Sequence, residues 1–281
     1  MNDFVPVTPS DAAAWTTAPT GESTKYRRGV LGVATGSAAY PGAAVLGVDA
    51  AVHTGVGMVR YVGPDRATDH VLSRRPEAVA GVGRVQAWLV GSGISASSLD
   101  DLDDTTAEAF RHASDDGVPV VVDAGAIPLV DLGPLAVLTP HAGELAKLLR
   151  VDREAVEADP RGSALRAAER TGSVVLLKGA DTHVVTPDGS VRLVASSATP
   201  WLAAAGAGDV LGGVLGALVA TRAGSAAVGP EELAHLAAAA AVVHGTAARR
   251  ASEGGPFPMT ALVTTLSGVV RDLVTTGDAT A

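Results

Sequence analysis

The sequence predicts an α/β fold with a mainly parallel central sheet, helices on both faces and a hairpin at one edge. Three observations point there. Short apolar runs alternate with helical patterns along the chain, the order that builds a parallel sheet. A Pro187-Asp188-Gly189 turn separates two strand-like runs, which reads as a hairpin. Three helical patterns then follow one another from Asp209 and close the chain.

Residues 1–24 mix Pro, Thr, Ser and Ala without a period. They are expected to form a loosely packed N-terminal arm with a short helix near Asp11–Trp15. Apolar runs that read as buried strands are Val30–Ala34, Gly57–Val62, Ala87–Val90, Val118–Val122, Ala136–Leu138 and Val174–Leu177. Thr182–Thr186 and Val191–Val194 are the hairpin strands. Helical patterns lie near 42–55, 99–116, 143–150, 161–171, 209–223, 231–251 and 259–274. No repeat or long linker divides the chain, so one domain is expected over 25–274, followed by a tail over 275–281.

The bulk properties narrow the function. The chain has 281 residues, 47% of them hydrophobic and only 3% aromatic, so Ala, Val and Leu must fill a large core. A net charge of -9 argues against nucleic-acid binding. The absence of cysteine removes disulfides, thiolate metal sites and a Cys nucleophile. The N-terminus lacks the pattern of a signal peptide, and the Ala-rich run at 234–243 is too short to cross a membrane. The expectation is a cytoplasmic protein with no membrane or nucleic-acid partner, and with Ala-rich helical surfaces available for self-association.

Ligands of such sheets bind beyond the carboxyl ends of the strands. The residues there are Gly36 to Ala44, Gly91-Ser92-Gly93-Ile94, Asp123-Ala124-Gly125, Thr139-Pro140-His141-Ala142-Gly143-Glu144 and Lys178-Gly179-Ala180-Asp181-Thr182. Gly42, Ala43 and Ala44 leave room for a bulky ligand, or alternatively for close helix–sheet packing, and Gly91-Ser92-Gly93 lets the backbone approach a ligand, or alternatively makes a tight turn. His141 lies on a strand-to-helix loop where its ring can face a ligand. Asp123 fits a metal, a ribose, a hydroxyl or a helix cap. Lys178 ends an apolar run, where its ammonium must meet an anion or snorkel to solvent. The P-loop spacing is absent, as are zinc and hydrolase-elbow motifs.

Ala205-Gly206-Ala207-Gly208-Asp209 is the most informative segment. Gly206 and Gly208 let backbone amides turn toward one point, and a helix starting at Asp209 adds its positive end. A carboxylate beside a bound phosphate costs energy. That cost has a purpose if Asp209 takes the proton from a hydroxyl undergoing phosphorylation. A Gly-rich turn with Asp209 as an ordinary cap is the other reading.

Taken together, these segments resemble the ribokinase-like superfamily, a three-layer sandwich. More closely, they resemble the ADP-dependent (S)-NAD(P)H-hydrate dehydratases, from about Lys25 to about Leu273. The Thr139-Pro140-His141-Ala142-Gly143-Glu144 segment separates that family from sugar kinases. The resemblance implies a hydro-lyase of nicotinamide nucleotide repair that restores NADH and NADPH while ADP becomes AMP and phosphate. It implies hydrate contacts at Ala43, Gly93, His141 and Asp209. Nucleotide contacts fall at Lys178, Gly179, Ala180, Asp181, Thr182 and Gly208, and the anion hole at Gly206, Ala207 and Gly208. Asp209 is then the base. Mg²⁺ is the implied cofactor, its ligands open between candidates such as Asp123 and Glu144. ATP is an alternative to ADP, the assembly is a homotetramer, and a separate NAD(P)H-hydrate epimerase is the functional partner.

Three departures stand out. The family usually has Gly-Gly-Thr-Gly-Asp at 205–209, Thr-Gly-Asn where Ser197-Ala198-Thr199 stands, and Gly-Pro-Gly-Leu where Gly91-Ser92-Gly93-Ile94 stands. The rival readings are a small-molecule kinase of the same fold, acting on a hydroxyethylthiazole, a hydroxymethylpyrimidine or a sugar, and a non-catalytic nucleotide-binding sensor.

Overall fold

The apolar runs become strands whose alternate side chains enter two different cores. Leu31, Val33, Leu89, Val121, Val137, Val174 and Leu176 face one core. Val30, Trp88, Val90, Val122, Leu138, Val175 and Leu177 face the other. Burial on both faces explains why these strands read as continuous rather than alternating apolar runs.

The computed structural model describes residues 3–278. In chain order the elements are β1 (Val5–Pro6), α1 (Pro9–Ala13), β2 (Val30–Ala34), α2 (Pro41–Thr54), β3 (Met58–Tyr61), α3 (Asp65–Arg74) and β4 (Val79–Ala80). Next come β5 (Ala87–Val90), α4 (Asp104–Asp115), β6 (Val120–Val122), β7 (Ala136–Leu138), α5 (Ala142–Leu149), α6 (Arg153–Ala158) and α7 (Pro160–Thr171). The chain continues through β8 (Val174–Leu177), β9 (Thr182–Val185), β10 (Arg192–Ala195), α8 (Ala207–Ala223), α9 (Pro230–Ser252) and α10 (Met259–Asp278).

The strands form one sheet in the order β1-β10-β9-β8-β7-β6-β5-β2-β3-β4. All neighbours are parallel except those of β9, which runs antiparallel to both β8 and β10. The expected hairpin is therefore β9–β10, with Gly189 at φ 66° in its turn. Helices α1, α2, α3, α8, α9 and α10 cover one face, and α4 to α7 cover the other. This is the expected three-layer arrangement.

Helix α8 lies unusually close to α2. A Cβ at Gly213 would come within 2.2 Å of the Gly47 carbonyl oxygen, so only glycine fits there. This contact sets α8 against the sheet and fixes where its N-terminus opens.

The structure differs from expectation in several places. The N-terminal segment is packed as far as Thr16, and only residues 17–24 form the expected, largely exposed arm. Thr8 and Asp11 cap α1 reciprocally, Ala12 is fully buried, and β1 pairs with β10 as an edge strand. The helical pattern at 99–116 splits into a turn of 3₁₀ helix at Leu99–Asp101 and α4, because the Asp103 side chain accepts from the Thr106 amide and restarts the helix. Helix α10 continues to Asp278, past the expected start of the tail, whose remainder lies outside the described residues. No helix among the described residues is long and apolar enough to cross a membrane.

Candidate active site

The parallel strands β5, β6, β7 and β8 end side by side. Their following residues, with the N-terminus of α8, converge on one region. The connection after β5 bears Ser92. The residue after β6 is Asp123, placed by its amide, which donates to the Val90 carbonyl at 2.9 Å. Thr139 follows β7, and its Oγ1 donates to Asp123 Oδ1 at 3.0 Å. Lys178 follows β8 and is tied to the neighbouring strand end by its amide, which donates to the Pro140 carbonyl at 2.8 Å.

The Lys178 ammonium is the centre of this group. It lies 3.0 Å from Asp123 Oδ1 and 4.0 Å from Glu144 Oε2. A Cβ at Gly208 would stand 3.4 Å from the same nitrogen. The lysine thus does not snorkel away. It is drawn inward by carboxylates and set against the first turn of α8.

Gly206 opens that helix in the left-handed region, at φ 92°. No side chain caps α8; the Ala207 amide donates to the Ala204 carbonyl at 3.3 Å, while the amides of Gly206, Gly208 and Asp209 take no partner among the described residues. Asp209 sits in this first turn, and its Oδ1 accepts a hydrogen bond from the Ser92 hydroxyl. Burial raises the Asp209 pKa above the usual carboxylate value, and the Asp123 charge adds to the rise. The Ser92 bond and the Lys178 charge oppose it.

His141 has a second task. Its Nδ1 accepts from the Gly143 amide at 3.0 Å and the Glu144 amide at 3.2 Å, while Glu144 Oε2 accepts from the His141 amide at 2.8 Å. This reciprocal cap starts α5. An accepting Nδ1 assigns the proton of the neutral ring to Nε2, which lies 3.2 Å from Glu144 Oε1. More than half of the side chain is exposed, so the ring can still face a ligand.

Ala43 lies in the first turn of α2, against the Gly93 loop. A Cβ at Gly93 would meet the Ala43 Cβ at 2.7 Å and the Gly36 Cα at 3.0 Å. Gly179, Ala180 and Asp181 are exposed in the β8–β9 connection, and Thr182 opens β9. Ala207 is buried at the start of α8 and carries no hydroxyl. Among the described residues no three metal-ligating side chains gather. A cavity of about 680 Å³ opens at the opposite end of the sheet, beside Arg84, His112 and Asp116, and holds none of these groups.

Sequence reasoning did not find His244, on α9. It is buried and faces the Ala207 backbone, and its Nε2 has no hydrogen-bond partner among the described residues. Burial pushes its pKa down from 6.5 to about 4, the Ala207 backbone opposing and Lys178 assisting. In the unfolded chain this ring takes up a proton below about 6.5, whereas the folded ring resists until about 4. Stability is therefore fully present above pH 6.5 and falls as the pH drops toward 4. The loss should approach about 3 kcal/mol. Urea unfolding across this window should show the decline, and His244→Gln should flatten it. His53 and His183, also lowered chiefly by burial, add to the slope in the same direction.

Comparisons with known proteins show the family and the fold. The family model described as NAD(P)H-hydrate dehydratase matches residues 31–267. A bifunctional NAD(P)H-hydrate repair enzyme of Mycobacterium tuberculosis is 42% identical over 226 residues, which cover 75% of this chain and 45% of that protein. The chain thus spans about half the length of the bifunctional relatives it matches. An ADP-dependent (S)-NAD(P)H-hydrate dehydratase of Xanthomonas campestris is 34% identical over 72% of this chain and 75% of its own length. A Bacillus subtilis ADP/ATP-dependent NAD(P)H-hydrate dehydratase, co-crystallised with ATP and Mg²⁺, shares the fold. Its TM-score is 0.81 at 23% identity, covering 96% of this chain and 99% of that one.

Proposed function

Because the chain belongs to the NAD(P)H-hydrate dehydratase family, we propose that it repairs the (S)-hydrates of NADH and NADPH, turning ADP into AMP and phosphate. The observation that carries this reading is the pairing of Asp209 with an anion site. The carboxylate lies in the uncapped first turn of α8, and the Lys178 ammonium stands against the same turn at Gly208.

In this reading Lys178 and the amides of Gly206 and Gly208, on either side of Ala207, hold the phosphates of ADP, with Gly179, Ala180, Asp181 and Thr182 along the nucleotide. Ala43, Gly93 and His141 line the hydrate. Asp209 removes the proton of the ring hydroxyl, and its raised pKa makes it a stronger base than an exposed carboxylate. The hydroxyl oxygen forms a bond to the β-phosphorus as the bond to the bridging oxygen breaks, and AMP leaves. The ring nitrogen's lone pair then expels phosphate to leave an iminium, and loss of a proton from the adjacent ring carbon to solvent restores the double bond. The positive end of α8 and Lys178 face the charge on the phosphoryl group in flight.

Asp123 and Glu144 are engaged by Lys178. They do not form a protein cage for Mg²⁺. We therefore assign the metal to the phosphates and waters of the incoming nucleotide, a common mode for this ion. It would neutralise phosphate charge there.

The proposal extends to a cytoplasmic homotetramer that works with a separate NAD(P)H-hydrate epimerase. Relatives named bifunctional repair enzymes favour a partnered role. The test is incubation with NADH hydrate, Mg²⁺ and ADP, following the reduced-nicotinamide absorbance. Recovery of that absorbance with release of AMP is the expected result. Phosphorylation of a stable alcohol instead would establish a kinase, and binding without turnover a sensor.

A further inference from the structure

The loop after β5 has a hydroxyl at Ser92 where the resembled family usually has proline. That side chain is buried, and its Oγ donates to Oδ1 of Asp209 across 117 positions of sequence. The backbone carrying it is fixed on both sides. The Ser92 carbonyl accepts from the Gly36 amide at 2.6 Å, and the glycines before and after it take φ values of 109° and 71°. No other side chain among the described residues hydrogen-bonds Asp209, and its Oδ2 takes no partner from them.

We propose that Ser92 is a positioning residue for Asp209, holding Oδ1 so that Oδ2 is the oxygen left to receive the substrate's proton. This rests on the reading of Asp209 as the base. A carboxylate pinned at one oxygen keeps its other oxygen aimed, so less order must be gained in the transition state. Other charged groups near Asp209 act through space: Asp123 raises its pKa and Lys178 lowers it. Glu144 and His244 bear on Lys178 rather than on Asp209. The Ser92 bond also lowers the Asp209 pKa, offsetting part of the effect of burial.

Two readouts test the proposal. In the first, Ser92→Ala should lower kcat about tenfold with little change in KM for the hydrate. The acid limb of its pH profile should move to higher pH, and Ser92→Thr should restore both. In the second, NMR of isotope-labelled aspartate carboxyls in the ligand-free protein should show Asp209 titrating at higher pH in Ser92→Ala and near its original pH in Ser92→Thr. If Ser92→Ala does not fold, Ser92→Cys, a weaker donor of similar size, carries the same expectations. An unmoved Asp209 titration, or equal losses from the Ala and Thr variants, would overturn the proposal. The NMR titration needs no substrate. A wild-type protein that cannot restore NADH while the titration still moves would sink the dehydratase reading and leave the positioning role standing.

Discussion

Asp209→Asn should lower kcat by about a thousandfold, the range removed with a general base. The amide keeps the shape of the carboxylate, and Ser92 can still donate to its oxygen, so the loop geometry should survive. What disappears is the acceptor for the hydroxyl proton. Nucleotide affinity gives the contrast. A carboxylate in the first turn of α8 repels a bound phosphate, so ADP should bind the Asn variant as well as the wild type or more tightly. In the wild type, the base works only when ionised. Because burial raises its pKa, activity should fall on the acid side at a pH above the ordinary carboxylate range. That limb should be missing from the residual activity of the variant. Near-normal kcat in Asp209→Asn would remove the base from the mechanism.

Lys178→Met should raise KM for ADP by about 10- to 100-fold, the cost of one hydrogen bond to a charged group. The methionine fills a similar volume without the cation. A second effect is expected in the free protein, because Asp123 loses its cation while remaining largely buried, and the Thr139 hydroxyl alone is left donating to it. A buried charged group that loses one of its partners costs about 1–3 kcal/mol, which thermal unfolding would reveal. Asp123→Asn in the same chain separates the two roles. The double variant should recover stability, because no unpaired charge remains, but it should not recover ADP affinity. Recovery of both would mean that Lys178 serves only to neutralise Asp123, and the phosphate assignment would fail.

Much of this architecture was legible in the sequence, for reasons that differ by element. The bounds read for β2, β5, β7 and β8 are the observed ones, because each is an apolar run closed at its end by Thr35, Gly91, Thr139 or Lys178. Helix α3 escaped notice because only Ala67 and Val71 of its ten residues are buried, too few to set a period in a polar stretch. Helix α6 buries Val156 alone. β1 and β4 are two-residue exposed edge strands, defined by their neighbours rather than by local pattern.

The site divides in the same way. Asp209, Lys178, Asp123 and His141 were visible because each is a polar residue just past a strand or at a helix start. Their mutual contacts were not, since strand order in the sheet decides which ends meet. The Ser92–Asp209 bond joins loops far apart in sequence. Ser92, a hydroxyl between Gly91 and Gly93 at a strand end, carries no local sign of that partner. His244 had a sign that went unread. A lone histidine inside an Ala- and Val-rich helix face is costly to bury, and it lies against the Ala207 backbone at the start of α8.

The fate of one oxygen atom tests the mechanism most directly. NADH hydrate carrying heavy oxygen in its ring hydroxyl should be turned over with ADP, and the label sought by mass spectrometry. If that hydroxyl attacks the β-phosphorus and is then expelled with it, the label must appear in inorganic phosphate. Label found in water, with unlabelled phosphate, would mean that ADP is cleaved without phosphorylating the hydrate, and the role given to Asp209 and its anion site would be contradicted.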